Sequence, residues 1–340
     1  MTLLTMNRRK FLVGSQAMAL GALLPGICSV ANAQEPVDMT YLTPFGYIFG
    51  FSETLYGDTS GIFRKHGINI TIEGGRGSSM AVQQVTAGNA LVSRTGGTDM
   101  IKAYARDPSI VAIGEIHQRD IFFVISSEEK PISKPEDMVG KTIGIVSAAG
   151  ATENLLDMML VAKDLPKAEV RREVVGNAPA AFQLIKQGRI DGFIATNDTV
   201  FQLRAAKEPI IAWSTDDVAR CPGQVYITSK AQLAEKKDEI SRFFAAIYES
   251  IETMNATSDK TAVVDSILSK YQLSEASGPD KGVSVLQNTL NNFKRSFDVK
   301  LKSVEDAWTS AYDLMVKAEL IPALEERNFY DDSARVQALG

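Results

Sequence analysis

"AVQQVTAGNALVSRTGGTD", residues 81–99, and "AFQLIKQGRIDGFIATNDT", residues 181–199, are two versions of one passage. Gln83 matches Gln183 and Gly88 matches Gly188, each at an offset of one hundred residues. In both, a helical stretch ends at a glycine and an apolar strand follows. The strand then runs into small polar residues, Arg94 to Gly97 in the first copy and Thr196 to Asp198 in the second. A passage that recurs in this way predicts two lobes of similar build.

The surrounding sequence extends the pattern. Runs rich in β-branched residues at 37–43, 68–74, 90–95 and 109–116 read as strands separated by helical stretches, and the series restarts at 141–147, 170–176, 191–197 and 209–215. Strands that alternate with helices predict βαβ units, mainly parallel sheets and an α/β fold. The stretch 52–67 reads as a helix interrupted by glycines. The last third is helical, with Ile240, Phe243, Phe244, Ile247, Ile251 and Met254 spaced as a buried stripe.

In open parallel sheets ligands sit beyond the carboxyl ends of the strands, near helix starts. Four such ends carry small or polar residues: 75–79, 94–97, 147–152 and 196–198. The first lies in "IEGGRGSSMAV", residues 72–82. It fails as a dinucleotide fingerprint because Met80 stands where a third glycine belongs, and as a P-loop because no Lys-Ser or Lys-Thr follows. Arg76, Ser78 and Ser79 at a helix start suit a polar or anionic ligand, and a plain helix cap equally well.

Residues 1–33 read as a secretory signal: Arg8, Arg9 and Lys10, an apolar run from Phe11 to about Leu24, and Ala31-Asn32-Ala33 before the cleavage point. The arginine pair resembles a twin-arginine signal, although Asn7 before it leaves the Sec route open. The expected location is the periplasm, with no stable membrane insertion after cleavage. The chain has 36 basic and 41 acidic side chains, net −5, and loss of the three basic residues of the leader leaves −8. No basic tract survives to suggest nucleic acid. Cys221 is then the only cysteine, so no internal disulfide is expected. His66 and His117 are the only histidines, and no metal-ligand set or Cys–His or Ser–His–Asp constellation is visible, so neither cofactor nor catalysis is expected.

Five stretches in order carry a resemblance: "GIFRKHGINITIEGGRGSS" (61–79), "AGNALVSRTGGTD" (87–99), "PEDMVGKTIGIVSAAGAT" (135–152), "KQGRIDGFIATND" (186–198) and "AELIPALEERNFYDDSARVQAL" (318–339). With them the chain resembles the periplasmic substrate-binding proteins of ABC transporters in the group for nitrate, sulfonates, taurine and thiamine-pyrimidine precursors. The resemblance implies a type II periplasmic binding protein: two Rossmann-like lobes, a two-stranded hinge and C-terminal helices. It implies a first lobe of residues 34–120 and 224–340 and a second of 121–223, with crossings near 118–123 and 221–226.

By position it implies ligand contacts from Phe45 and Tyr47, from Arg76, Ser78 and Ser79, and from Arg94, Thr95, Gly96 and Gly97. Gln118, Ser147, Gly150, Ala151, Thr152, Thr196 and Asn197 complete the set. Two arginines facing a cleft would favour a carboxylate or sulfonate. Phe45, Tyr47 and Trp213 are candidates to stack on an aromatic ligand, Trp213 reading better as core. The implied function is capture of a small anionic or aromatic organic solute by a monomer that delivers it to an ABC permease. The alternatives are a ligand-sensing partner of a membrane sensor and a pyrimidine-synthase-like enzyme. The cysteine-rich iron-binding motif of those enzymes is absent here.

Overall fold

The computed structural model describes residues 35–44, 46–273 and 279–340. The expected leader, 1–33, and Phe45 lie outside the described residues.

The repeat becomes two five-stranded sheets. The first has the order β2 (Ile68–Gly74), β1 (Val37–Thr43), β3 (Val92–Gly96), β10 (Gln224–Ser229), β4 (Ile110–His117). The second has the order β7 (Arg171–Val174), β6 (Thr142–Ile145), β8 (Gly192–Thr196), β5 (Phe122–Ser127), β9 (Ile210–Ser214). In each, the first three strands in this order are parallel and the fourth runs antiparallel to both its neighbours. That fourth strand arrives from the other lobe: β5 follows β4 in the chain and β10 follows β9.

The two quoted passages occupy the same place in their sheets. Gly88 and Gly188 end their helical stretches at φ +71° to +77°, a left-handed conformation that favours glycine. β3 and β8 then span 92–96 and 192–196 and pass directly into helices at Gly97 and Asn197.

The helices are α1 (Ser52–Thr59), α2 (Ile62–Lys65), α3 (Ser78–Thr86), α4 (Gly97–Arg106), α5 (Ala151–Ala162), α6 (Phe182–Lys186) and α7 (Asn197–Ala205). After β9 and β10 come α8 (Lys230–Glu235), α9 (Lys237–Ala256), α10 (Lys260–Leu268), α11 (Pro279–Asp298), α12 (Glu305–Lys317) and α13 (Ser333–Leu339). The glycine-interrupted stretch 52–67 is two helices, broken at Gly61 with φ +80°.

Burial explains the assembly. One face of the first sheet packs under α1, α2, α9, α10, α11 and α13, where the whole predicted stripe of α9 is buried. Each such side chain contributes about 1.5–3 kcal/mol relative to an exposed one. The opposite face packs on α3, α4 and α12, and this core runs on without a break into the second lobe through Leu155, Met158 and Met159 of α5. A smaller core of Phe182, Ile190, Phe193, Val200 and Leu203 backs the far face of the second sheet under α6 and α7. Trp213 joins the shared core and donates its indole N–H to Ile132 O at 2.8 Å.

The two crossings, 118–121 and 215–223, are sewn together. Gly223 N donates to His117 O at 2.9 Å, and Thr215 Oγ1 donates to Asp120 Oδ2 at 2.8 Å. Asp216 accepts from Cys221 N at 3.2 Å, and Arg119 and Arg220 stand 3.6 and 3.4 Å from its second oxygen.

Candidate functional site

The parallel strands β1–β3 and β6–β8 deliver helix starts to the rim of each lobe. After β2 the chain turns under the exit of β1. Gly75 N donates to Thr43 O at 2.7 Å, and Gly77 N donates to Pro44 O at 2.6 Å. A Cβ on Gly75 would lie 2.4 Å from Thr43 O, so only glycine fits there. Gly77, at φ +129°, opens α3 with no side chain capping it. Neither serine is the cap: Ser78 is hydrogen-bonded to Asp99 of α4, and Ser79 is exposed. Burial pushes the Asp99 carboxyl up, against Ser78 and Lys102, which lower it. Arg76 is exposed and forms no ion pair among the described residues.

Beside this start, a cavity of about 510 Å³ is lined by Ser78, Ser79, Asp99, Lys102 and Arg106, with Ala149 from the second lobe. Lys102 Nζ also reaches Asn154 Oδ1 of α5 at 3.3 Å. The first helix start therefore confronts the Ser147–Thr152 turn. In that turn Ala149 adopts φ +54°, and Gly150 lets the Ser147 hydroxyl lie close over the backbone, 2.3 Å from where a Cβ would stand. Thr152 is buried and accepts from Val146 N at 2.9 Å, so it shapes the turn, while α5 opens at Ala151 without a side-chain cap. The starts of α3, α4, α5 and α7, at strand ends, lack a side-chain cap, as do most helix starts among the described residues; α8 and α10 have one. Each uncapped start leaves backbone N–H groups to be satisfied from elsewhere.

The start of α4 is answered from within the protein. Gly97 N donates to Gly223 O at 2.9 Å, and a Cβ on Gly97 would sit 2.3 Å from Pro222 O, so this glycine lets the second crossing lie against β3. Gly96 precedes it as the last residue of β3. Thr95 is fully buried and its hydroxyl has no hydrogen-bond partner among the described residues. Gln118 is buried and donates to Lys302 O at 2.7 Å, which ties the first crossing to the C-terminal segment.

Arg94 faces the other side of β3. It is buried, its Nη1 lies 2.7 Å from Glu53 Oε1 and 2.8 Å from Gly50 O, and the ring of Phe51 sits 4.7 Å from its guanidinium carbon. Its charge is thus balanced by a carboxylate forty-one residues upstream. Tyr47, half-buried, leans on Tyr271 at 4.9 Å and donates to Ile72 O, so its ring is committed to the first lobe.

In the second lobe Asn177, just past β7, holds the start of α7. It accepts from Thr196 N at 2.9 Å, donates to Thr196 Oγ1 at 3.0 Å, and its carbonyl accepts from Thr199 Oγ1. Asn197 N donates to Ile121 O, and the Asn197 side chain reaches Asn292 on α11. His117, half-buried at the end of β4, is held well below its ordinary range, at about 3, chiefly by burial and secondarily by Arg94. It is therefore a neutral ring at the cleft. Sequence reading missed Glu53, Asn177, His117, Asn288 and Asn292. The strand-end rule contained Asn177 and His117, which follow β7 and end β4.

A family model described as NMT1/THI5-like matches residues 49–261. The chain belongs to that family. No curated protein matches its sequence. Among solved structures, the fold of this NMT1/THI5-like protein is similar to a putative periplasmic sulfonate-binding SsuA from Methylobacillus flagellatus KT. The TM-score is 0.65 at 13% identity, over 90% of this chain and 94% of that one. It is also similar to the periplasmic aliphatic sulphonate-binding protein SsuA of Escherichia coli, with TM-score 0.63 and 14% identity over 88% and 92% of the two chains. A third is the alkanesulfonate-binding SsuA from Xanthomonas axonopodis pv. citri bound to MOPS, with TM-score 0.59 and 11% identity over 87% and 97%. The strand orders and these likenesses make the fold that of a type II periplasmic binding protein. The sulfonate-binding proteins that it resembles in fold are named as binding components rather than enzymes. No helix among the described residues is long and apolar enough to cross a membrane.

Proposed function

We propose that this NMT1/THI5-like protein is exported to the periplasm and captures a small organic solute between two lobes, residues 34–120 with 224–340 and residues 121–223. It then presents the solute to an ABC permease. The observation that carries this reading is that both lobes bring uncapped helix starts to the same rim, α3 from the first and α5 and α7 from the second. Helix starts attract negative charge through their free N–H groups and the helix dipole. An anionic or strongly electronegative group on the ligand therefore suits this seat, with Arg76, which forms no ion pair among the described residues, as a cation next to it. Arg94 supports the floor of the cleft instead, because Glu53 already neutralises it.

The test is a thermal-shift screen of the protein against alkanesulfonates, nitrate, aromatic carboxylates and pyrimidines. A ligand that binds only the folded form stabilises it by mass action, by about 2.7 kcal/mol at a concentration one hundred times Kd. We expect an anion to raise the melting temperature and Ser79→Asp, which puts a carboxylate at the start of α3, to abolish that rise. An anion whose effect survives Ser79→Asp would place the seat elsewhere.

A further inference from the structure

Side chains on α7 and α11 meet across the cleft. Asn288 Nδ2 donates to Asp198 Oδ1 at 2.8 Å, and Asn197 Nδ2 donates to Asn292 Oδ1 at 2.9 Å. The partners belong to different lobes: Leu286, Leu290 and Phe293 root α11 in the core of the first, and Val200 and Leu203 root α7 in the core of the second. Asn288 and Asn292 are one helical turn apart, so they share a face. On it they meet two consecutive residues at the start of α7.

The opposite side of the molecule is built differently. There α4, α5 and α12 share one continuous apolar core that includes Tyr104, Leu155, Met159, Trp308 and Met315. Separating the lobes on that side would expose apolar surface at roughly 25 cal/mol per Å². On the α7–α11 side, opening trades hydrogen bonds with protein for hydrogen bonds with water, a modest loss of about 0.5–1.5 kcal/mol per bond and no loss of apolar burial. Separation therefore costs more at the apolar joint, where Lys102 also reaches Asn154, than on the asparagine side.

We propose that Asn288 and Asn292 are positioning residues for ligand capture, which latch the start of α7 to the first lobe and set the fraction of time the cleft is closed. This rests on the cleft-closing reading above. The contacts exist only in the closed state, so they shift the closed-open balance whether or not a ligand is present. Apparent affinity scales with the closed fraction. The start of α7 keeps its own supports, Asn177 and Ile121 O, when the latch is broken, so losing the latch does not unfold the lobe.

The experiment measures interlobe distance with no ligand added, so it stands apart from any failure to identify the solute. Spin labels are placed on the exposed edge positions Thr71→Cys and Val174→Cys of residues 34–340, where the one native cysteine, Cys221, is buried away from the label. Asn288→Asp sets two carboxylates against each other. We expect it to lower the closed-to-open ratio about tenfold, equivalent to about 1.4 kcal/mol. Exchanging the partners, Asn288→Asp with Asp198→Asn, restores one amide and one carboxylate and should return the distances to those of the parent. A distance distribution unchanged by Asn288→Asp, or a folded exchange variant that stays open, would overturn the proposal.

Discussion

Arg94 Nη1 stands 2.7 Å from Glu53 Oε1, and neither side chain is more than 2% exposed. The pair joins the end of β3 to the first turn of α1, and Tyr226 adds a hydroxyl to the same Glu53 oxygen at 3.0 Å. Removing one member of such a pair leaves the other charge buried without compensation, whereas replacing both with neutral groups does not. Arg94→Ala should therefore cost about 3–5 kcal/mol of stability. Glu53→Gln combined with Arg94→Met should cost clearly less. Denaturant unfolding measures both, and equal costs would deny that the two charges depend on each other.

At the crossings, burial pushes the Asp120 carboxyl up to about 7, with nearby Asp216 adding to the rise and Thr215 and Ile121 N opposing it. Glu115, which accepts from Trp308 Nε1, is likewise pushed up to about 7 by burial. An acid whose pKa is higher folded than unfolded binds more protons in the folded state. Its stabilising contribution is complete below the ordinary carboxylate range and is lost as pH rises through about 7. The melting temperature should fall between about pH 4 and 7 on this account and level off above. Asp120→Asn should flatten part of that slope and leave the share due to Glu115. A slope unchanged by Asp120→Asn would contradict the assignment.

Gly97 is where the second crossing lies closest to β3. A Cβ there would meet Pro222 O at 2.3 Å and Pro222 Cβ at 2.6 Å. Gly97→Ala must displace the crossing, at a cost of about 1–3 kcal/mol typical of overpacking. Gly188→Ala should also destabilise, for a different reason: its φ of +71° disfavours a side chain, although open space surrounds it. Crystal structures of the two variants separate the mechanisms. Gly97→Ala should move 221–223, and Gly188→Ala should leave them in place.

β1 and β2 were legible in the sequence to the residue, because β-branched runs bounded by turn residues are a local signal. The pattern did not mark "FFVISS" and "QVYITS" as strands. Their antiparallel direction comes from the change of lobe, which no local pattern carries. Arg94 illustrates the same limit at the site. Its place at a strand end was legible, but the carboxylate that neutralises it is distant in sequence and arrives only through α1. The asparagines of α11 were invisible for a related reason: their partners, Asp198 and Asn197, lie in the other lobe.

The central claim is that one ligand is held between helix starts contributed by both lobes. Hydrogen exchange of the backbone amides, with and without the solute that stabilises the protein most, tests it directly. Slowed exchange at the starts of α3, α5 and α7 together, near residues 78–81, 151–154 and 198–200, is the predicted result. Protection confined to one lobe, or to surfaces away from these turns, would contradict it.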